Sequence, residues 1–221
     1  MGDLFTTFNV VGALGITLLL TLFSALGALV IGTLVAIMRV SPVAFLNTVG
    51  AAFVNIVRNT PLTLIIVFCN IGFITNLGLS VSTDIARNNL VWAIVGLSIY
   101  HAAFVCESLR SGVNTVPTGQ AEAARSIGLT FGQSLGAVLL PQAFRGAITP
   151  LGNTLIALTK NTTVATAIGV AEISGLMKEM IEFRSDLLIP IFLLVAFYFV
   201  LLTLPIGLVT THLSTKLAVK R

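Results

Sequence analysis

Apolar residues gather along this chain into long runs, separated by polar stretches punctuated by Gly and Pro. A helix needs about 20 apolar residues to cross a hydrocarbon core roughly 30 Å thick, and several runs reach that length. The pattern predicts five spans, at about 11–37, 51–74, 90–109, 148–170 and 188–211, with one long polar interruption at 110–146. An all-α, polytopic membrane protein with a single transmembrane domain (1–221) follows. The roughly ten-residue alternating segments that mark a membrane barrel are not seen.

Polar positions inside the runs are the informative ones. Span one is closed by Arg39 and Pro42 and carries Ser24, Ala28, Gly32 and Ala36 four apart on one face. Such a stripe lets another helix approach closely in lipid. An Ala/Gly-rich helix with scattered small residues reads the same way. Span two contains Arg58-Asn59-Thr60-Pro61. The proline removes a backbone hydrogen bond, Asn59 and Thr60 can re-satisfy the freed groups, and Arg58 can snorkel to the nearer interface. A plain kink and a moving joint in a transport path both fit. After a polar loop at 75–89, span three ends with Glu107 and Arg110 three apart, placed to pair. An acid there is either a functional group or half of an interfacial anchor.

Span four holds Asn153, Thr154, Thr159, Lys160, Asn161, Thr162 and Thr163. A lipid-facing lysine would cost roughly 2.5–3.5 kcal/mol, so Lys160 is expected to face the bundle interior or a wet cavity, with snorkelling as the other reading. In residues 171–187, Ile173, Leu176, Met177, Met180 and Ile181 oppose Lys178, Glu179, Glu182 and Arg184, which predicts a short helix on the membrane surface. Span five has Pro190 near its start and Pro205 inside.

Composition agrees with the pattern. The chain is 56% apolar and 9% charged, against roughly 25% charge in soluble domains, and its mean hydropathy is +1.04. A net charge of +4 raises nucleic acid as a partner, but the basic residues form no stripe, so none is expected. They record orientation instead. Arg39, Arg58, Arg110, Arg125, Arg145, Lys216, Lys220 and Arg221 fall on one side of five spans, and Arg87, Lys178 and Arg184 on the other. The positive-inside rule then puts the C-terminus and the 110–146 loop in the cytoplasm and the N-terminus outside. Asp3 and the absence of a basic n-region argue against a cleavable signal, so the first run should stay as an anchor. Gly2 and Thr6 fit a loose acylation pattern that a chain with several spans has little use for. Cys69 and Cys106 fall in apolar stretches and read as buried thiols.

Enzyme motifs do not carry the chain. Gly132-Gln133-Ser134-Leu135-Gly136 matches the G-x-S-x-G form, but Thr130 and Gln133 read as the capping box of a short helix, and His101 and His212 lie elsewhere. No phosphate-binding loop, zinc-protease motif or metal cluster is present in the sequence, so no catalytic or metal residue is assigned and ATP hydrolysis is not expected here. The 110–146 stretch is richer. Pro117 and Gly119 turn the chain, QAEAARSI forms a helix, and Gly128 suits the left-handed residue that stops it. A second short helix is expected from Thr130 to about Leu139, with Pro141 redirecting the chain into span four. The elbow shows a small-residue surface at Ala121, Ala123 and Ala124, beside Glu122 and Arg125.

With these residues in view, the run from Gln120 to Gly128, followed by Pro141-Gln142, resembles the EAA loop of permeases in ATP-binding-cassette importers. More narrowly it is similar to the polar amino acid uptake family, with support from Arg58–Pro61, Glu107–Gly112, Pro150–Asn153 and Leu158–Thr163. The wording of these motifs looks closest to glutamate-type permeases. The resemblance covers about residues 10–210 and implies a type I importer fold in a bacterial plasma membrane. It also implies a second permease subunit, often a different chain, an ATPase dimer that binds the ATP, and an extracellular binding protein that delivers the amino acid. Glu122, Ala123, Ala124 and Gly128 carry over as coupling elements and Pro141 as the residue closing the motif; Ile127 stands where the family usually has Leu. Glu107, Asn153, Lys160, Asn161 and Thr162 offer the charges and hydrogen bonds a crossing amino acid needs, and are the substrate-path candidates. An ion-coupled carrier or channel is the alternative, although no internal repeat is found and it leaves the elbow without a task. A serine hydrolase built on Ser134 is the third reading.

Overall fold

The computed structural model describes residues 6–217; Gly2 and Asp3 at the start, and Lys220 and Arg221 of the basic tail, lie outside the described residues. Every regular element among the described residues is helical. Helix α1 (Val10–Val40) opens at Asn9, whose side chain accepts the Gly12 N–H at 2.8 Å.

Residues 51–74 form two helices, not one kinked span. Helices α2 (Ala44–Arg58) and α3 (Leu62–Asn76) meet at 105°. Pro61 lacks an N–H and keeps Thr60 out of helical geometry, so the ladder stops. The freed carbonyls are taken locally: Asn59 Nδ2 donates to Asn55 O at 2.7 Å and Thr60 Oγ1 to Ile56 O at 2.8 Å. The expected kink is therefore a right-angle break. Helix α3 finishes as a π-helix over Phe68–Asn76.

Helix α4 (Ile85–Val113) pairs with α1 along most of its length and forms the centre of the fold. Ser24, Ala28, Gly32 and Ala36 are all buried, and Gly27 and Gly32 lie against Ser98, Ala102 and Val105 of α4. The stripe is therefore a helix-packing surface, the close-approach reading of the two. Ser98 Oγ donates to Ile94 O at 2.7 Å within α4, so this buried hydroxyl is satisfied inside its own helix.

Two short helices make the elbow. Helix α5 (Thr118–Ser126) is followed by α6, which runs as α-helix over Phe131–Ser134, as π-helix over Leu135–Leu139 and as α-helix again over Leu140–Gly146. Pro141 does not redirect the chain, as the sequence suggested. It sits in the first turn of the last segment, where its missing N–H breaks no bond, and the turn comes at Ala147.

Helix α7 (Ile148–Asn161) has 14 residues, about 21 Å at ~1.5 Å per residue, and then tightens into a 3-10 stretch at Thr162–Ile168. Its hydroxyls explain the change. Thr162 Oγ1 donates to Thr159 O at 2.8 Å and Thr163 Oγ1 to Lys160 O at 2.9 Å, bonds that favour a three-residue repeat. The stretch read as a span at 148–170 is thus helical to Ile168, first as α-helix and then as 3-10 helix.

Helix α8 (Ile173–Phe183) is amphipathic as expected, but it does not turn its apolar face to lipid. Ile173, Leu176 and Met180 are buried in a cluster with Val10 and Ala13 of α1 and with Ile191 and Val195 of α9 (Leu188–Leu217). A buried acid starts it. Glu172 accepts from Ser174 N at 2.9 Å, Gly175 N at 2.8 Å and Thr166 Oγ1 at 2.6 Å, and burial pushes its carboxyl above the usual glutamate range.

By length and composition α1, α4 and Ser185–Leu217 can cross a membrane, and the bent α2–α3 pair makes a fourth if it counts as one span. By that measure the described helices supply three spans or four, against the five read from the sequence.

Candidate functional site

Helix α5 is terminated by backbone chemistry that only glycine supplies cheaply. Gly128 has φ +82°, its N–H donates to Arg125 O at 2.9 Å, and Leu129 N donates to Ala124 O at 3.1 Å. This pair of bonds is a Schellman stop. The capping box of Thr130 and Gln133 then starts α6. Ser134 is buried in that helix, without the strand–turn–helix setting a nucleophile elbow needs.

The coupling candidates divide by face. Glu122, Ala123, Gly128 and Pro141 are exposed, whereas Ala124 is 4% exposed and packs inward. The expected small-residue surface thus loses Ala124. It gains Ile127, 78% exposed at the tip of the elbow. A large apolar side chain offered to solvent beside an acid and small residues is a knob suited to a preformed groove.

The elbow is fastened to α4. Gly112 comes so close to the Ala143 carbonyl that no side chain would fit between them, and Thr115 Oγ1 donates to Gly112 O at 2.7 Å. Ala143 and Ala147 are fully buried. One turn before Gly112, Glu107 pairs with Arg39 of α1 and with Arg110 at 3.0 Å. The Glu107–Arg110 pair is present as read, and Arg39 joins it, so this acid holds two helices together at the elbow end of α4.

A second feature lies between α4 and α7. A cavity of about 370 Å³ is lined by Tyr100, His101, Phe104, Asn153, Thr154 and Asn161, with Ala157. Asn161 Nδ2 and His101 Nε2 are 3.2 Å apart, and Ser108 Oγ and Thr154 Oγ1 3.3 Å, so polar contacts bridge the two helices at the middle of α7 and at its C-terminal end. His101 is buried, and its Nδ1 has no hydrogen-bond partner among the described residues. The lining mixes aromatic walls with a few hydrogen-bonding groups, which is the make-up of a small-molecule site.

Of the five substrate-path candidates, Asn153 and Asn161 line this cavity. Glu107 is engaged with its arginines, and Thr162 is fully buried with its hydroxyl on the backbone. Lys160 is exposed on the same surface as Asn153 and Ala157 and faces out of the lone chain, not into its interior. Residues 153, 157 and 160 follow helical spacing, so they share one face. His101, Tyr100 and Phe104 were not among the candidates. Their signal was a one-turn cluster of rings on α4, which periodicity alone cannot tell from core.

Comparison with known proteins agrees with this arrangement. Residues 28–219 match the family described as the inner membrane component of binding-protein-dependent transport systems. The chain is 52% identical over 214 residues to the glutamate transport system permease protein GluC of Corynebacterium glutamicum, covering 95% of this chain and 94% of the relative. It is 34% identical over 203 residues to a probable glutamine transporter permease, GlnM, of Bacillus subtilis, covering 91% and 89%. In three dimensions it resembles an amino acid ABC transporter solved with histidines, at a TM-score of 0.79 and 24% identity, over 94% of this chain and 93% of that one. With that family's pattern matched over residues 28–219, this chain belongs to the inner-membrane components of binding-protein-dependent transport systems.

Proposed function

We propose that the chain is the permease subunit of an ATP-driven importer of glutamate, and that the α4–α7 cavity is part of the path the amino acid takes. The observation that carries the substrate is the 52% identity to a glutamate permease along nearly the whole chain. ATP is bound and hydrolysed on a separate ATPase dimer. That dimer receives Glu122, Ala123 and Ile127 in a groove, with Gly128 setting the angle of the knob and Pro141 closing the motif; Ala124 contributes from the inward face of the same helix. The α2–α3 pair and α7 with its 3-10 extension complete five crossings. The basic-residue bias supports a cytoplasmic elbow and C-terminus and an outer N-terminus.

A second permease subunit, of a different sequence, covers the face of α7 that carries Asn153, Ala157 and Lys160. Leaving a lysine in lipid would cost roughly 2.5–3.5 kcal/mol, and a partner with a polar surface removes that cost. Lys160, Asn153 and Asn161 then contribute to a shared path; Thr162 shapes its backbone and Glu107 braces it. An extracellular binding protein delivers the substrate. The test is uptake by proteoliposomes containing this chain, its partner permease and the ATPase, with binding protein added outside and ATP within. Glutamate accumulation that requires all four components is the expected result. Accumulation without ATP or without the ATPase would instead support an ion-coupled carrier.

A further inference from the structure

Arg58 ends α2 at the 105° break, and its guanidinium carbon lies 5.5 Å from the centre of the Phe104 ring. Phe104 is also a wall of the 370 Å³ cavity between α4 and α7. It stands nine residues before the end of α4 at Val113, about 13 Å at ~1.5 Å per residue, so Arg58 lies beside the interior of this helix and not beyond its end.

Arg58 has no counter-ion among the described residues. The ion pairs there are Arg39 and Arg110 with Glu107, Arg87 with Asp84, and Arg184 with Asp186. Glu172 is enclosed at the start of α8, while Glu122, Glu179 and Glu182 are exposed on α5 and α8. An unpaired cation at the depth of a transmembrane helix is expensive unless it faces a polar cavity or meets an anion. Arg58 is exposed and is not itself a wall of the cavity; Phe104, which is, joins the two, and a substrate carboxylate reaching past that ring would supply the anion.

We propose that Arg58 is the specificity-determining cation of this path, receiving the side-chain carboxylate of an acidic amino acid at the cavity and selecting it over a neutral amide of the same shape. This rests on the import reading above. The planar guanidinium can offer two parallel N–H groups to one carboxylate, and its cation–π contact with Phe104 limits where the side chain can lie. Asn153, Thr154 and Asn161 remain for the other end of the substrate.

The test compares wild type with Arg58→Gln and Arg58→Lys in the complete complex of permeases and ATPase. Equilibrium binding of L-glutamate and of L-glutamine is measured without binding protein, and glutamate uptake with it. Arg58→Gln should weaken glutamate binding about tenfold, in line with losing a charged hydrogen-bonded partner, and leave glutamine binding at the wild-type level. Arg58→Lys keeps the charge without the fork; it should co-purify with the ATPase and fall between the two. An unchanged glutamate-to-glutamine ratio in Arg58→Gln overturns the inference. So does a defect that disappears when anionic lipid is left out of the vesicles, because the arginine would then have been holding lipid phosphate. Wild-type complex that imports no glutamate at all overturns the import reading itself, a result separable from either of these.

Discussion

Gly32 of α1 faces Val105 of α4 so closely that a Cβ on the glycine would stand 2.6 Å from the Val105 Cβ and 2.7 Å from the Ala102 carbonyl oxygen. Neither neighbour can retreat easily, since one is backbone and the other a branched side chain at its first carbon. Gly32→Ala should therefore force α1 and α4 apart and lower stability by about 1–3 kcal/mol. Thermal unfolding of the purified protein in detergent checks this. Shortening the neighbour in a Gly32→Ala/Val105→Ala pair removes only the Val105 Cγ1 contact and should recover little of the loss, because the Val105 Cβ and the Ala102 carbonyl stay in place.

The elbow depends on one backbone angle. Gly128 has φ +82°, and a β-branched residue there would be strained by about 1–2 kcal/mol. Gly128→Val should displace the knob carrying Ile127, so that ATP hydrolysis by the assembled complex continues while uptake per ATP falls. A variant with wild-type uptake per ATP would show that the stop has no part in coupling.

Glu172 makes the start of α8 sensitive to pH. Burial raises its carboxyl above the ordinary 4.5, so between that value and its own raised one the folded state holds more protons than the unfolded. Its contribution to stability is then largest below about pH 4.5 and declines as pH rises through the folded pKa. Glu172→Gln should flatten this slope. Glu172→Ala should lose the cap and about 1 kcal/mol at any pH. Amide exchange at Ser174 and Gly175, measured across pH, reports both.

Lys160 is exposed in the lone chain, beside Asn153. Lys160→Ala should lower glutamate uptake while the complex still assembles with its ATPase. Undiminished uptake in vesicles would assign the lysine to a lipid interface.

Much of the elbow was legible because its signals are local. A Schellman glycine at 128 and a Thr130–Gln133 capping box act within a few residues, and both appear in the structure, as does the amphipathic run at 173–181 that forms α8. The cavity was only half legible. Asn153 and Asn161 stand out in an apolar run, whereas His101, Tyr100 and Phe104 look like core until α7 is laid against them.

Residue types and their spacing alone determined that this chain is a helical membrane protein and where its polar elbow lies, because hydrophobic period, caps and breakers act along one stretch of chain. Tertiary structure decided the rest: that Pro61 bends the chain by 105°, that α8 turns its apolar side inward, and that Arg39 joins Glu107. Those outcomes depend on which helix lies opposite, and a break angle or a third charge partner is set by packing between residues far apart in sequence.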